Sequence, residues 1–136
     1  MEKWNIRLAN PNDIPFIYAT WLKSYHYDSW TKGIAKSVYF DNYKLVIDRL
    51  LGISQVLIAC TVVDPEVILG YMVHEPNTLH YCFVKEPFRN FGIAKSLFTK
   101  SELEPTATIT HKTQSVAAIV RHKEFIFNPF VLYKKE

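Results

Sequence analysis

Hydrophobic positions along the chain recur first at every second residue, then at helical spacing, then in three strand-length runs. Trp4, Ile6 and Leu8 alternate with Asn5 and Arg7, which predicts a half-buried first strand. Ile14, Ile17, Tyr18, Trp21, Leu22 and Tyr25 fall on one helical face. Asn12 is the expected cap, because it puts Pro15 in the first turn, where a missing N–H costs nothing. Residues 27–37, with Gly33 and mixed polar positions, read as a loop. A second helix is expected over residues 38–51, with Tyr39, Tyr43, Val46, Ile47 and Leu50 inward and Gly52 ending it. Residues 56–63, 67–74 and 79–84 are apolar runs separated by Asp64-Pro65-Glu66 and Glu75-Pro76-Asn77, the pattern of a three-stranded antiparallel meander.

Pro87 ends the third run, and Ile93, Ala94, Leu97 and Phe98 then return to helical spacing. This helix opens near Arg89 to Gly92. A helix start leaves backbone N–H groups unpaired at the positive end of the dipole, so phosphate oxygens bind well there. Gly92 has no Cβ and Ala94 a small one, which lets a bulky anion approach the backbone. Beyond Pro105, residues 107–111 suit a strand, and residues 114–123 carry Val116, Ile119 and Val120 on one helical face. Two aromatic runs, 125–127 and 130–133, flank Asn128-Pro129. The predicted order is β-α-α-β-β-β-α-β-α-β, with room for one more strand, in a mixed α/β chain.

At 136 residues one domain over 1–136 is expected, with a core made bulky by an aromatic share of 15%. A formal charge of +3 is scattered along the chain and does not point to nucleic acid. Cys60 and Cys82 lie in predicted buried strands and read as core residues of a chain kept in a reducing compartment. The polar start and the absence of any apolar run of ~20 residues lead to an expectation of a cytoplasmic protein with no membrane contact. The histidines His26, His74, His80, His111 and His122 form no set at metal-ligand spacing, so no metal is expected.

Arg89-x-x-Gly92-x-Ala94, placed between a predicted strand and a predicted helix, resembles the acyl-CoA pyrophosphate loop of the GNAT acetyltransferase superfamily. The element order is similar to that family across nearly the whole chain. The resemblance implies a mostly antiparallel central sheet flanked by about four helices. It also implies acetyl-CoA as co-substrate, with the amides of Arg89, Asn90, Phe91, Gly92, Ile93 and Ala94 on the phosphates and Lys95 adding charge. Phe91 is bulkier than the residue the family commonly has before the glycine. Backbone groups of Phe83 and Val84, at the end of the fourth strand where the family's sheet splays, would hold the pantetheine arm. The family closes on two well-formed strands and a Gly-Phe, whereas only residues from Phe125 onward remain here.

Transfer of an acetyl group to an amine requires the amine deprotonated and the departing thiolate protonated. Histidine titrates in the right range. His80 lies nine residues before Arg89, the offset at which a member of the superfamily places a catalytic histidine, and Glu75 could act instead through a water. Aligning Phe127 with the family's closing Phe puts His122 where the family has an acidic tyrosine, with Tyr133 as an alternative. Tyr27, Asp28 and Trp30 lie where the family builds its acceptor pocket. The implied function is an acyl-CoA-dependent N-acyltransferase using a primary amine, small molecule or protein, by direct attack. The alternative is a GNAT-like domain without turnover that serves as a protein-binding or inhibitory module. An incomplete last strand leaves an edge that a second copy of the chain would cover.

Overall fold

The structure, a computed structural model, describes residues 4–120 and 124–133. Six strands form one sheet in the order β1-β2-β3-β4-β5-β6, where β1 is Trp4–Leu8, β2 Gln55–Thr61, β3 Ile68–Glu75, β4 Thr78–Val84, β5 Thr108–Ile109 and β6 Ile126–Phe127. The pairs from β1 to β4 are antiparallel, and β4–β5 and β5–β6 are parallel. The four helices are α1 (Ile14–Asp28), α2 (Lys36–Ile53), α3 (Ile93–Ser101) and α4 (Gln114–Val120). The mixed, mostly antiparallel sheet and the element order agree with the expectation.

Because side chains alternate across a strand, the central strands feed two cores. One face packs Leu57, Met72, Leu79, Cys82 and Val84 with Ile93, Leu97 and Phe98 of α3 and Val116 and Ile119 of α4. The other packs Ile58, Tyr71, Val73 and Tyr81 with Ile17, Trp21 and Tyr25 of α1 and Ile47 and Leu50 of α2. Both cysteines are free and buried in these cores, and burial pushes the Cys82 thiol up to about 12. Gly70 on β3 is required by a close approach, since a Cβ there would stand 2.6 Å from the Phe83 carbonyl oxygen.

Three local expectations change. Asn12 does not cap α1: the residue before the helix is Asp13, which makes no side-chain cap bond to it, and the capping side chain lies further back, where Asn10 Oδ1 accepts the Asn12 N–H at 2.9 Å while the Asn10 N–H donates to Asp13 Oδ2 at 2.8 Å. This reciprocal box closes a 3-10 turn over Pro11–Asp13. Arg7 strengthens it by a two-pronged pair with the Asp13 carboxylate and holds that carboxyl below its usual range. Residues 27–37 are largely helical, because α1 runs to Asp28 and Ser29 then caps a 3-10 turn over Trp30–Gly33. Gly52 lies inside α2, which ends at Ile53. After β6 the chain turns through a 3-10 segment, Pro129–Tyr133, that brings Leu132 back to the α1/α2 core.

Candidate functional site

The site begins where β4 and β5 part. They pair at Thr78 with Thr108 and Leu79 with Ile109, and the Thr110 N–H still donates to the Leu79 carbonyl at 3.1 Å. From there β4 continues to Val84 while the other arm turns into α4, and the further bonds across the fork come from side chains, Thr110 Oγ1 with His80 and Thr113 Oγ1 to the Cys82 carbonyl at 3.3 Å.

At the open end lies a cavity of about 310 Å³, lined by Val84, Arg89, Gly92, Ile93, Lys95 and Gln114 among others. A narrow continuation runs into the fork past Phe83, Cys82, Tyr81 and Tyr25. Gly92 precedes α3 with φ 97° and no side chain to cap the first amides. Asn90 is also left-handed, with φ 71°, a conformation asparagine tolerates better than most residues. The first-turn N–H groups of α3 have no intrahelical acceptors, and Ile93, Ala94 and Lys95 line the cavity. The described lining holds two cations, Arg89 and Lys95, and no carboxylate. Space is open where a Gly92 Cβ would stand, so the residues present fit a bulky anion. Phe91 is 67% exposed and does not fill the loop. The Val84 carbonyl, expected to be free, accepts Arg89 Nε at 2.8 Å, and Arg89 Nη1 donates to Gln114 Oε1 at 3.1 Å.

His80 stands at the vertex of the fork, in a β-bulge: Val73 pairs with Tyr81 and His74 with Leu79, leaving His80 as the extra residue. It is 1% exposed and engaged at both ring nitrogens. Nε2 lies 2.7 Å from Glu75 Oε2 and Nδ1 lies 3.0 Å from Thr110 Oγ1. Burial lowers the His80 pKa, against the opposing pull of Glu75. The network continues beyond Thr110: its Oγ1 is 2.9 Å from His111 Nδ1, and His111 Nε2 is 2.5 Å from the Tyr43 hydroxyl. Burial lowers the His111 pKa to about 3, with His80 adding to the shift.

Sequence reasoning singled out His80 and Glu75 and missed Thr110, His111, Tyr43 and Gln114. No local pattern marks them, since His111 and Tyr43 meet only through the fold. His122 lies outside the described residues. Tyr133 is 68% exposed, and Tyr27 and Trp30 stand out at 79% and 63%; none of these three lines the cavity or its continuation. Among the described residues no group of His, Cys, Asp and Glu gathers as a metal-binding set, and no helix is long and apolar enough to cross a membrane.

No family model matches the sequence, and no match was found among curated proteins. Solved structures do resemble it. A GCN5-related N-acetyltransferase from Rhodopseudomonas palustris superposes with a TM-score of 0.59 at 15% identity, over 89% of this chain and 80% of that one. A Pyrococcus furiosus protein proposed to be an acetyl transferase gives 0.61 at 16% identity, over 96% and 89%. A possible acetyltransferase from Clostridium difficile 630 gives 0.56 at 13%, over 99% and 98%. At such identities the likeness is one of fold: the chain has the GNAT fold.

Proposed function

We propose that the chain is an acyl-CoA-dependent N-acyltransferase, passing acetyl from acetyl-CoA to a primary amine by direct attack in a ternary complex. The observation that carries this reading is the cavity at the fork. It joins an uncapped helix start to Arg89 and Lys95 with no carboxylate among its described lining. Such a lining suits a pyrophosphate, with amides from Gly92 to Lys95 as donors and Arg89 and Asn90 at the rim. Phe83 and Val84 would flank the arm that leads from the phosphates into the fork. When bound, the thioester supplies an activated carbonyl that an amine attacks without a covalent protein intermediate.

The chain's own residues then handle protons. The amine must lose one to become nucleophilic, and the departing thiolate must gain one. His80 is buried with both nitrogens engaged, so we assign it to exchanging a proton with Glu75 rather than to meeting the amine. His122 is our candidate for returning a proton to the thiolate, on its place in the sequence.

A second reading, a binding module without turnover, draws on Arg89 lying across the Val84 carbonyl. Calorimetric titration with acetyl-CoA separates the two, with a Gly92→Asp variant as control. Micromolar binding that the variant loses is the expected result. No heat at millimolar acetyl-CoA would remove the transferase reading and leave the binding module.

A further inference from the structure

The cavity at the fork narrows sharply as it runs inward. The continuation past Phe83 and Cys82 has room of about 20 Å³, against about 310 Å³ for the cavity that leads to it. One water needs roughly 10–15 Å³ on the same scale, so the inner end holds a single small group. Ser24 and Tyr25 of α1 line it together with Tyr81 of β4, and the arm that leads into α4 lines it from across the fork. Lys112 on that arm is exposed and Ser24 half-buried, so the continuation meets solvent beside them. Tyr25 and Tyr81, 4% and 2% exposed, form its buried wall.

This wall is braced. The Tyr81 ring stacks on Trp21 at 4.6 Å and 7°, and meets the Tyr25 ring edge-on at 6.0 Å and 88°. Trp21 is wholly buried, and both Trp21 and Tyr25 pack in turn against the His111 ring. The Tyr81 hydroxyl is tethered as well. Ser24 gives its only hydroxyl hydrogen to the Thr20 carbonyl at 2.6 Å, so Ser24 Oγ accepts the Tyr81 O–H at 2.5 Å. The facing arm is fixed too. Thr113 Oγ1 donates to the Cys82 carbonyl at 3.3 Å and accepts the Val116 N–H at 3.2 Å, which ties the start of α4 to β4. A close-packed aromatic block does not admit one more methylene without cost.

We infer that Ser24, Tyr25 and Tyr81 form a fixed wall that restricts the acyl group carried into the fork to acetyl. This limit rests on the transferase reading above, in which the arm passes Phe83 and Val84 and brings the thioester to the inner end. There the acetyl methyl finds one small space, and the extra methylene of a propionyl group finds none. The backbone of β4 cannot make this choice, because it meets every thioester arm alike whatever the acyl length. Charge does not make it either. The charged groups in the described lining of the continuation are Arg89 and Lys112, which leave an uncharged alkyl chain unopposed. Both would favour an acyl group that ends in a carboxylate, so succinyl, longer but charged to match, is the sharpest rival to acetyl.

Calorimetric titration of the full chain with CoA and with acetyl-, propionyl-, butanoyl- and succinyl-CoA tests the wall without an acceptor. Propionyl-CoA should bind about tenfold more weakly than acetyl-CoA, and the butanoyl and succinyl thioesters more weakly still. Ser24→Ala removes the tether of Tyr81 and vacates the place of the hydroxyl. It should bring propionyl-CoA to within about threefold of acetyl-CoA, with the affinity for free CoA as the reference that stays. Thr113→Ala, which unties the fork, should move the same ratio in the same direction, and Thr113→Ser should restore it. The ratio is the readout because a general loss of stability weakens all the thioesters alike. Should Thr113→Ala not fold, Ser24→Ala decides. A propionyl, butanoyl or succinyl thioester bound by the wild type as tightly as acetyl-CoA would overturn the wall and leave the transferase reading standing. A ratio that Ser24→Ala leaves unchanged would do the same. Binding of none of the five would remove the transferase reading and the wall with it.

Discussion

Arg89 reaches back to the carbonyl of Val84, donating through Nε at 2.8 Å, while Nη1 of the same guanidinium donates to Gln114 Oε1 at 3.1 Å. One side chain thus ties the end of β4 to the start of α4 across the mouth of the fork. A charged hydrogen bond of this kind is stronger than a neutral one, but solvent weakens it where the group is half exposed. Arg89→Ala should cost about 1 kcal/mol in chemical denaturation and weaken acetyl-CoA binding about tenfold, since both the anchor of the loop and one of its cations go. An affinity equal to wild type would show that the guanidinium serves the scaffold alone.

Gly92 separates two effects that one substitution would confuse. Its φ of 97° disfavours any Cβ, yet nothing stands within 4 Å of where that Cβ would be. Gly92→Ala should therefore cost only the backbone penalty, about 1 kcal/mol, and leave cofactor affinity within a few-fold. Gly92→Asp adds a negative charge beside the same amides and should abolish binding. Equal losses in the two variants, measured by calorimetry, would mean that the loop is sensitive to shape and not to phosphate.

These residues also mark where the sequence was readable. The strand-to-helix passage from Leu79 to Phe98 shows itself because the apolar period changes from two to 3.6 at a proline and a glycine, which are local signals. The cap at Asn10 was harder, because what selects it over Asn12 is the Asp13 carboxylate, itself paired with Arg7 on β1. His80 was noticed for its spacing from Arg89. Its bulge was invisible, because an extra residue on β4 exists only relative to the register of β3. Thr110, His111 and Tyr43 left no trace, since their meeting needs α2 folded over the fork.

Gly70 tests how tightly that fork is set. A Cβ at this position would come within 2.6 Å of the Phe83 oxygen and 3.2 Å of the Val84 Cα, both backbone atoms that cannot swing aside. Gly70→Ala should destabilise the protein by about 2 kcal/mol, and the push falls on the two β4 residues assigned to the cofactor arm. Denaturation of this variant beside Gly33→Ala, where a Cβ meets open space, gives the comparison. Equal stability of the two would show that β3 and β4 shift apart freely.

The buried histidines set a pH dependence whose sign can be worked out. His111 titrates at about 3 in the folded chain, against 6.5 as its ordinary value, and His80 is shifted in the same direction. Between the folded and unfolded values the unfolded chain binds more protons, so stability rises with pH and falls on acidification. The loss begins as pH drops through the ordinary histidine range and continues toward pH 3. For His111 alone the slope is about 1.4 kcal/mol per pH unit. Asp13, held low by Arg7, adds its own loss only below its ordinary carboxylate range, near the acid end of this window. Urea midpoints measured from pH 7.5 to 4.5 should therefore fall for the wild type and fall less steeply for His111→Gln, which has no proton to bind. A wild-type curve flat across that span would mean that His111 reaches solvent in the folded chain.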